Sequence, residues 1–381
     1  MRQTLKAEVN IRIPEPRIAR LHDRLWWRAA TLIAGLVLLL PAPGCSNSVE
    51  SEVLVVDTLP TAGGPGATTV AFSNEELSPR VLRRFAPLTP TSTPASSALI
   101  ELGRQLYYDP RLSKTGAVSC NTCHPLAKYG TTGTAVSIGI NGRKGLRNAP
   151  TTYNAFGQFA QLWDGRSPSV EKQATMPIEN KDEMGMTSAE VVEAIDRIAG
   201  YRDGFARAFP GESPPVTIDR IGLAIGAFEH GLVTPARWDR YLRGDMNALN
   251  ADEKAGAKLF ANLGCIVCHT GPYVGGSMFE RLGARVPWPA GPDHGRRQVT
   301  GLAADDMVFK VPSLRNVAMT APYFHDGSAQ TLNMAVRMMA RHQLGVELDD
   351  DEAHELEAWL GSLTGEIPLD YIAPPKLPSG T

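Results

Sequence analysis

Two short motifs, Cys120-Asn121-Thr122-Cys123-His124 and Cys265-Ile266-Val267-Cys268-His269, each join two cysteines to a histidine. One turn with this spacing can present two sulfurs to the edge of a porphyrin and one imidazole to its iron. Each motif therefore predicts covalent attachment of a c-type haem. A structural zinc site built from the Cys-x-x-Cys pairs is the alternative, but a histidine directly after each pair favours haem. The predicted attachment and proximal residues are Cys120, Cys123, His124, Cys265, Cys268 and His269.

Length and composition limit the class of protein. The chain has 381 residues, enough for two ordinary domains with extensions. Its formal net charge is −2, so composition gives no reason to expect nucleic acid as a partner. A mean hydropathy of −0.16 argues against a membrane protein with many spans.

The first 45 residues resemble an export leader. Arginines precede an apolar run over residues 26–40, which is short for a transmembrane helix. Gly44-Cys45 then resembles a bacterial lipoprotein cleavage site, although Ala42 stands where leucine is usual. Lipidation of Cys45 with a membrane tether, ordinary signal-peptide cleavage and an uncleaved anchor all remain open. Because c-type haems are attached outside the cytoplasm, each alternative predicts a periplasmic body.

The rest of the chain divides into a linker, a duplicated body and a tail. Residues 46–97 are rich in Ser, Thr, Pro and Gly, which predicts a flexible linker. Within the body, residues 103–107 precede the first motif as residues 256–260 precede the second. This repetition predicts two haem domains with similar folds. We place them at residues 98–245 and 246–366, with residues 367–381 as a tail that lies back on the first domain.

Apolar residues at helical spacing predict a mainly α-helical body without a large sheet. Thr187 and Glu190 form a capping box at the start of one such helix. The apolar stripes are interpreted as core positions and not as cofactor contacts: Val191, Ile195 and Ile198; Ile218, Ile221, Ile225 and Phe228; Leu356, Trp359, Leu360 and Leu363.

The two haem sites differ on the face opposite the histidine. Alignment of Asp164-Gly165 with Asp326-Gly327, an offset of 162 residues, puts Met339 opposite Pro177. Methionine sulfur can ligate iron, and a histidine–methionine pair raises the reduction potential. Proline has no ligand atom, so the first haem would stay open to a small molecule. Spacing alone leaves two rivals of Met339, namely Met334 and Met338, and Met339 could also be an ordinary core methionine.

Ordered short matches continue through the body, at residues 102–113, 147–151, 163–166, 173, 183–184, 309–316, 320–327 and 343–345. Through these matches and the two haem motifs, residues 98–370 resemble the bacterial di-haem cytochrome c peroxidases. That superfamily includes the maturation enzyme of methylamine dehydrogenase. The resemblance implies two cytochrome c-like domains packed face to face.

The resemblance also implies roles for single residues. Gln173 and Glu183 would be the distal pair at the first haem, where Glu183 moves a proton between the peroxide oxygens. Trp163 would relay electrons between the haems, Met339 would ligate the second iron, and Arg315 would face a haem propionate. From the residues alone, Glu183 would more simply be a solvated charge and Trp163 a core aromatic.

A calcium ion and a homodimer are implied in the same way. Asn148 and the backbone carbonyls of Thr320 and Pro322 match positions that hold calcium between the two domains. Oxygen ligands of this kind suit calcium.

One position departs from the family pattern. In many relatives a histidine in the loop after the first motif caps the first haem until the enzyme is reduced. Ile140 stands at that position here, and no histidine lies between His124 and His230. We therefore expect the first haem to be five-coordinate or water-ligated when oxidised, unless a nearby methionine supplies a ligand. The candidates are Met176, Met184 and Met186.

These observations predict a peroxidase that reduces hydrogen peroxide with electrons from a small exported cytochrome c or cupredoxin, using two haems c and calcium. A second hypothesis is a di-haem oxidase or maturation enzyme that acts on a protein partner. Met339 argues against it, because the maturation enzyme has tyrosine as the distal ligand of its second haem. A third hypothesis is a non-catalytic electron carrier, which requires two closed haems and gives Glu183 no role.

Overall fold

The computed structural model describes residues 77–89 and 95–380, which belong to one compact unit. The predicted leader, Cys45 and most of the predicted linker lie outside these residues. Within the described part of the chain, no helix is both long and apolar enough to cross a membrane.

The described residues are mainly helical, as predicted. The α-helices are α1 (Pro79–Leu82), α2 (Ser97–Tyr108), α3 (Cys120–Cys123), α4 (Val170–Glu179), α5 (Ser188–Asp196), α6 (Ala199–Ala208), α7 (Ile218–Glu229), α8 (Arg237–Leu242), α9 (Ala251–Asn262), α10 (Arg297–Thr300), α11 (Leu332–Met339) and α12 (Asp350–Ser362). Two short strands, β1 (Phe279–Arg281) and β2 (Val308–Lys310), pair antiparallel with Glu280 opposite Phe309.

Side-chain caps set where the helices begin. The predicted capping box is present at α5, where Thr187 accepts the Glu190 amide and the Glu190 carboxylate accepts the Thr187 amide. Ser169 caps α4 and Thr331 caps α11 by the same kind of bond. Ser169 and Thr331 are 162 residues apart, which is the offset of the sequence repeat. The duplication therefore extends to helix boundaries.

A glycine at a helix crossing supports each half of the body. In the first half α2 crosses α7, and a Cβ on Gly103 would lie 1.8 Å from the Ala224 carbonyl oxygen. In the second half α9 crosses α12, and a Cβ on Gly256 would lie 1.8 Å from the Glu355 carbonyl oxygen. Only glycine allows two helix backbones to approach this closely. The two crossings are equivalent pieces of the repeat.

Each half has its own apolar core, and the predicted stripes lie in them. Ile221, Ile225 and Phe228 are fully buried in the first core, while Leu356 and Leu360 are buried in the second. The interpretation of these stripes as core positions is confirmed. Leu356 and Leu360 also line the cavity beside the second haem motif.

Part of the predicted linker is packed. The residues 77–89 lie against the second half, where Leu77 and Phe85 join its core. The Arg84 carbonyl accepts the Gly271 amide at 2.8 Å, and the Leu88 amide donates to Asp239 at 2.6 Å. The packed body therefore begins before residue 97, because these apolar side chains and backbone groups find partners far along the chain.

The C-terminal tail lies on the first half. The Tyr108 hydroxyl donates to the Ile372 carbonyl, and Arg111 donates to the Pro378 carbonyl at 2.9 Å. Tyr371 stacks on Phe228 with ring centroids 5.1 Å apart. Each half is thus completed by a segment from the opposite end of the described chain.

The crossing glycines give a stability prediction. Gly103→Ala should destabilise the protein by about 1–3 kcal/mol, or prevent folding, because its methyl group would meet a backbone carbonyl that cannot move aside. Gly361→Ala is the matched control, since a Cβ at that helical site meets nothing within 4 Å. Thermal unfolding should show a loss for the first variant and no loss for the second. Equal stability of the two variants would contradict the proposed role of the crossing.

Candidate active site

Each haem motif opens into a cavity. Cys120, Cys123 and His124 line the first cavity, which has a volume of about 680 Å³. The corresponding residues of the second motif line a cavity of about 260 Å³. The four cysteines of the described chain are unpaired thiols. Two free sulfurs and one imidazole on the wall of one cavity fit the donor set of a c-type haem in each half.

Both histidines are held in the tautomer that suits a metal ligand. The Nδ1–H of His124 donates to the Gly130 carbonyl at 3.2 Å, and that of His269 to the Val274 carbonyl at 3.3 Å. This bond leaves the Nε2 lone pair for coordination. Burial lowers the pKa of His124 and brings that of His269 to about 4, so both rings are neutral near pH 7.

Met339 lines the second cavity, whereas Met334 and Met338 do not. It is the last residue of α11, and the helix continues beyond it as one π-helical turn, Ala340–Leu344. Single π turns often occur at functional sites because they change the direction of the neighbouring side chains. The thioether therefore lies in the same cavity as His269.

The corresponding wall of the first cavity has a different character. α4 contributes Gln173 and Pro177 to it, and the loop after α4 contributes Glu183. Pro177 offers no ligand atom, whereas the amide of Gln173 and the carboxyl of Glu183 can bond to a small polar molecule. The two cavities therefore have equivalent cysteine and histidine residues. They differ elsewhere, because the first has Gln173, Pro177 and Glu183 where the second has Met339.

The Glu183 side chain is held in place by its neighbours. Asn180 Nδ2 donates to Glu183 Oε1 at 2.7 Å, and the Ile140 amide donates to the Glu183 carbonyl at 2.8 Å. Burial raises the pKa of the Glu183 carboxyl and Asp182 raises it further, while Asn180 and Arg166 oppose the shift. A carboxyl with a raised pKa is better suited to give and take protons near neutral pH than a solvated one.

Ile140 faces the protein interior. It is 7% exposed, is absent from the wall of the first cavity, and contacts Gly185, where an added Cβ would lie 2.5 Å from the Ile140 Cδ1. Of the three methionines named as alternative ligands, Met176 and Met184 line this cavity and Met186 does not.

Trp163 lines both cavities. Its indole Nε1 donates to the Asn148 carbonyl at 2.9 Å, and its own carbonyl accepts the Lys310 amide at 2.8 Å. The first bond orients the indole ring and the second holds the Trp163 backbone, at a position that contacts both cavities.

Arg315 has a protein partner that the sequence did not reveal. It lines the second cavity, yet its guanidinium makes two 2.8 Å bonds to the Asp239 carboxylate and one to the Pro272 carbonyl. Both Arg315 and Asp239 are fully buried. The buried Asp239 carboxylate is thus a partner of Arg315 within the protein, and the expectation that Arg315 also faces a haem propionate stays a prediction.

The three residues expected to hold calcium, Asn148, Thr320 and Pro322, lie together on the wall of the second cavity. Asn148 donates from its amide nitrogen to the Thr134 carbonyl at 3.1 Å, and its backbone amide donates to the His325 carbonyl. Across the described residues, no group of three or more His, Cys, Asp or Glu side chains forms a metal site. A cation here would thus depend on amide and carbonyl oxygens.

Sequence reasoning missed two buried ionisable residues. Glu229 lines the first cavity at 4% exposure, and Lys310 lines the second at 8%. Burial lowers the pKa of Lys310 to about 8. A charged residue inside an apolar stretch, as in Ala227-Phe228-Glu229, was the signal that could have identified Glu229.

Comparisons with known proteins agree with this geometry. Residues 97–247 match the family described as di-haem cytochrome c peroxidase. The chain is 45% identical to the cytochrome c551 peroxidase of Nitrosomonas europaea, over 78% of this chain and 90% of that protein. It is 32% identical to the methylamine utilization protein MauG of Methylorubrum extorquens, over 84% of this chain and 93% of that protein. Among solved structures it resembles a MauG-like protein associated with microbial copper homeostasis, with a TM-score of 0.66, 32% identity and coverage of 76% and 96% of the two chains.

Proposed function

Because the chain belongs to the di-haem cytochrome c peroxidase family, we propose that it reduces hydrogen peroxide to water with electrons from a small redox protein. The reaction consumes one peroxide, two electrons and two protons and yields two waters. The observation that carries this proposal is the difference between the cavities. One has Gln173, Glu183 and Pro177 on its distal wall, and the other has Met339.

The first cavity would bind the substrate. A haem attached at Cys120 and Cys123, with His124 as proximal ligand, supplies the redox chemistry of this site. Gln173 would orient peroxide by hydrogen bonding, and Glu183 would accept a proton from one peroxide oxygen and deliver it to the other. The Asn180 bond to Oε1 supports this role, because it fixes the carboxyl beside the cavity.

The second cavity would receive electrons. His269 and Met339 would close both faces of its haem, a ligand pair that favours electron transfer over substrate binding. Trp163, which lines both cavities, would lie on the route between them. The bond from its indole Nε1 to the Asn148 carbonyl would keep the ring in one orientation during transfer.

The two rival functions have less support. The MauG relative is more distant than the cytochrome c551 peroxidase, at 32% against 45% identity. Met339 also lies in the second cavity, where the maturation hypothesis requires a tyrosine ligand. A plain electron carrier would need a protein ligand on the distal face of the first haem; Pro177 cannot supply one, and Met176 or Met184 would have to do so.

We also propose the surroundings of this enzyme. It would act in the periplasm with a small exported cytochrome c or cupredoxin as donor, tethered through Cys45 if that residue is lipidated. A homodimer is expected by analogy with the family. Calcium would bind between the two halves through Asn148 and the carbonyls of Thr320 and Pro322, whose shared cavity wall supports the assignment.

Glu183→Gln should lower kcat for peroxide by about 10²–10⁴-fold, because the amide cannot shuttle a proton. Both haems should remain attached. Glu179→Gln is the matched control, since Glu179 is an exposed carboxylate at the end of α4. Steady-state turnover and haem content per chain give the comparison. Unchanged turnover in the Glu183 variant would remove Glu183 from the mechanism.

Electron paramagnetic resonance of the oxidised protein should show one high-spin and one low-spin haem. The high-spin signal is expected from the first haem, which would have an open face. The low-spin signal is expected from the second haem, which Met339 would ligate. Met339→Ala should convert the low-spin signal to high spin, while Met334→Ala should leave it. Two low-spin signals in the wild type would mean that Met176 or Met184 ligates the first haem, and that Ile140 does not leave this site open.

Dialysis against a calcium chelator should lower the midpoint of thermal unfolding, because an ion bound only to the folded state stabilises it. Asn148→Ala should bind less calcium and lose most of this response. Asn247→Ala, a change at an exposed asparagine, should respond like the wild type. A wild-type protein that contains no stoichiometric calcium by elemental analysis would contradict the assignment.

A further inference from the structure

Glu229 is a buried carboxyl that the proposed peroxidase mechanism does not use. It ends α7, is 4% exposed, and lines the first cavity beside the haem motif. Burial and the negative charge of Glu171 both act against ionisation of its carboxyl. Such a carboxyl is costly when ionised, and so favours its protonated form.

The charged side chain that shifts the pKa of Glu229 is that of Glu171. The cations Lys144, Arg147 and Arg166 line the same cavity. α4 presents Glu171, α2 presents Tyr107 and α3 presents Cys120, and each interacts electrostatically with its carboxylate. α5 adds only apolar residues to this core, and the tail adds Tyr371, whose hydroxyl bonds to the Phe228 carbonyl. Burial raises the pKa of Glu229 to about 8, and the negative charge of Glu171 adds to the shift.

A polar pair connects this buried group to solvent. The Glu171 carboxylate lies 2.8 Å from His230 Nε2, and both side chains are about one quarter exposed. Phe156 lies against the His230 ring at 5.1 Å between centroids. Glu171 therefore interacts with Glu229 on one side and with a solvent-contacting imidazole on the other. The Glu171–His230 pair therefore provides a partly exposed polar group that interacts with the buried carboxyl.

We propose that Glu229 binds one proton when the first haem site gains one electron and releases it when that electron leaves. Electron uptake removes one positive charge at the haem joined to Cys120. The nearby Glu229 carboxylate would then lose its favourable interaction with that charge and take a proton from solvent. The electron comes from the redox partner, so charge and protons balance. The inference rests on haem attachment at this motif and not on peroxide turnover.

The test is a potentiometric titration of the holoprotein between about pH 6 and pH 9.5, with optical detection of each haem. The potential of the first haem should fall as pH rises, by up to about 59 mV for each tenfold drop in proton concentration. Glu229→Gln should abolish this slope, because glutamine does not titrate. A folded Glu229→Gln protein with both haems attached and an unchanged slope would overturn the proposal.

Two further variants keep the test decisive if Glu229→Gln does not fold. Glu171→Gln removes the negative neighbour of Glu229. The pH range in which the potential of the first haem depends on pH should therefore move to lower pH. Glu179→Gln changes a carboxylate outside the cavity wall and should leave this pH range unchanged. If the Glu171 variant shows no displacement, the haem propionates and not Glu229 account for the slope, and the proposal is wrong.

Infrared difference spectra between the reduced and oxidised protein give a readout that does not depend on activity. A carboxylic acid C=O band should appear on reduction of the first haem in the wild type and be absent in Glu229→Gln. Peroxide turnover, measured separately, tests the proposed function. A protein that lacks turnover but keeps the pH-dependent potential would separate the two conclusions.

Discussion

The contact of one helix backbone with another at Gly103, repeated at Gly256, is the constraint on which both halves depend. Since the helices touch without intervening side chains, their crossing is fixed by hard-sphere repulsion and not by side-chain choice. The haem motifs lie beside these crossings. In the second half, Phe260, Leu356 and Leu360 from the crossing helices also line the cavity, and in the first half α7 contributes Glu229 to the cavity wall.

The two halves have equivalent helices, but the residues that line their cavities differ. Ser169 and Thr331 start equivalent helices, yet one leads to Pro177 and the other to Met339. The buried ionisable groups differ as well, because the first cavity has an acid and the second has Lys310. A buried cation favours the reduced form of a nearby haem and a buried anion favours the oxidised form. The duplicated halves therefore have similar cavities that differ in a few lining residues.

Sequence analysis could identify what is encoded locally. The haem motifs, the capping box at Thr187 and the shared offset of the two halves depend on residues close together in the chain, and they agree with the structure. The Arg315–Asp239 pair joins residues 76 positions apart and has no local signal. For the same reason the packing of residues 77–89 was missed. These residues have the composition of a linker, and their bonding partners lie more than 150 residues further along the chain.

The packing of these two terminal segments has a consequence for the order of folding. Arg84 donates to the Ile266 carbonyl, 182 residues further along, so the start of the described chain must wait for the second half before it can dock. The first half must in turn wait for residues as late as Pro378. Contacts this distant in sequence slow folding, because a long loop must close before they form. Neither half therefore reaches its final packing alone, and the two are completed together.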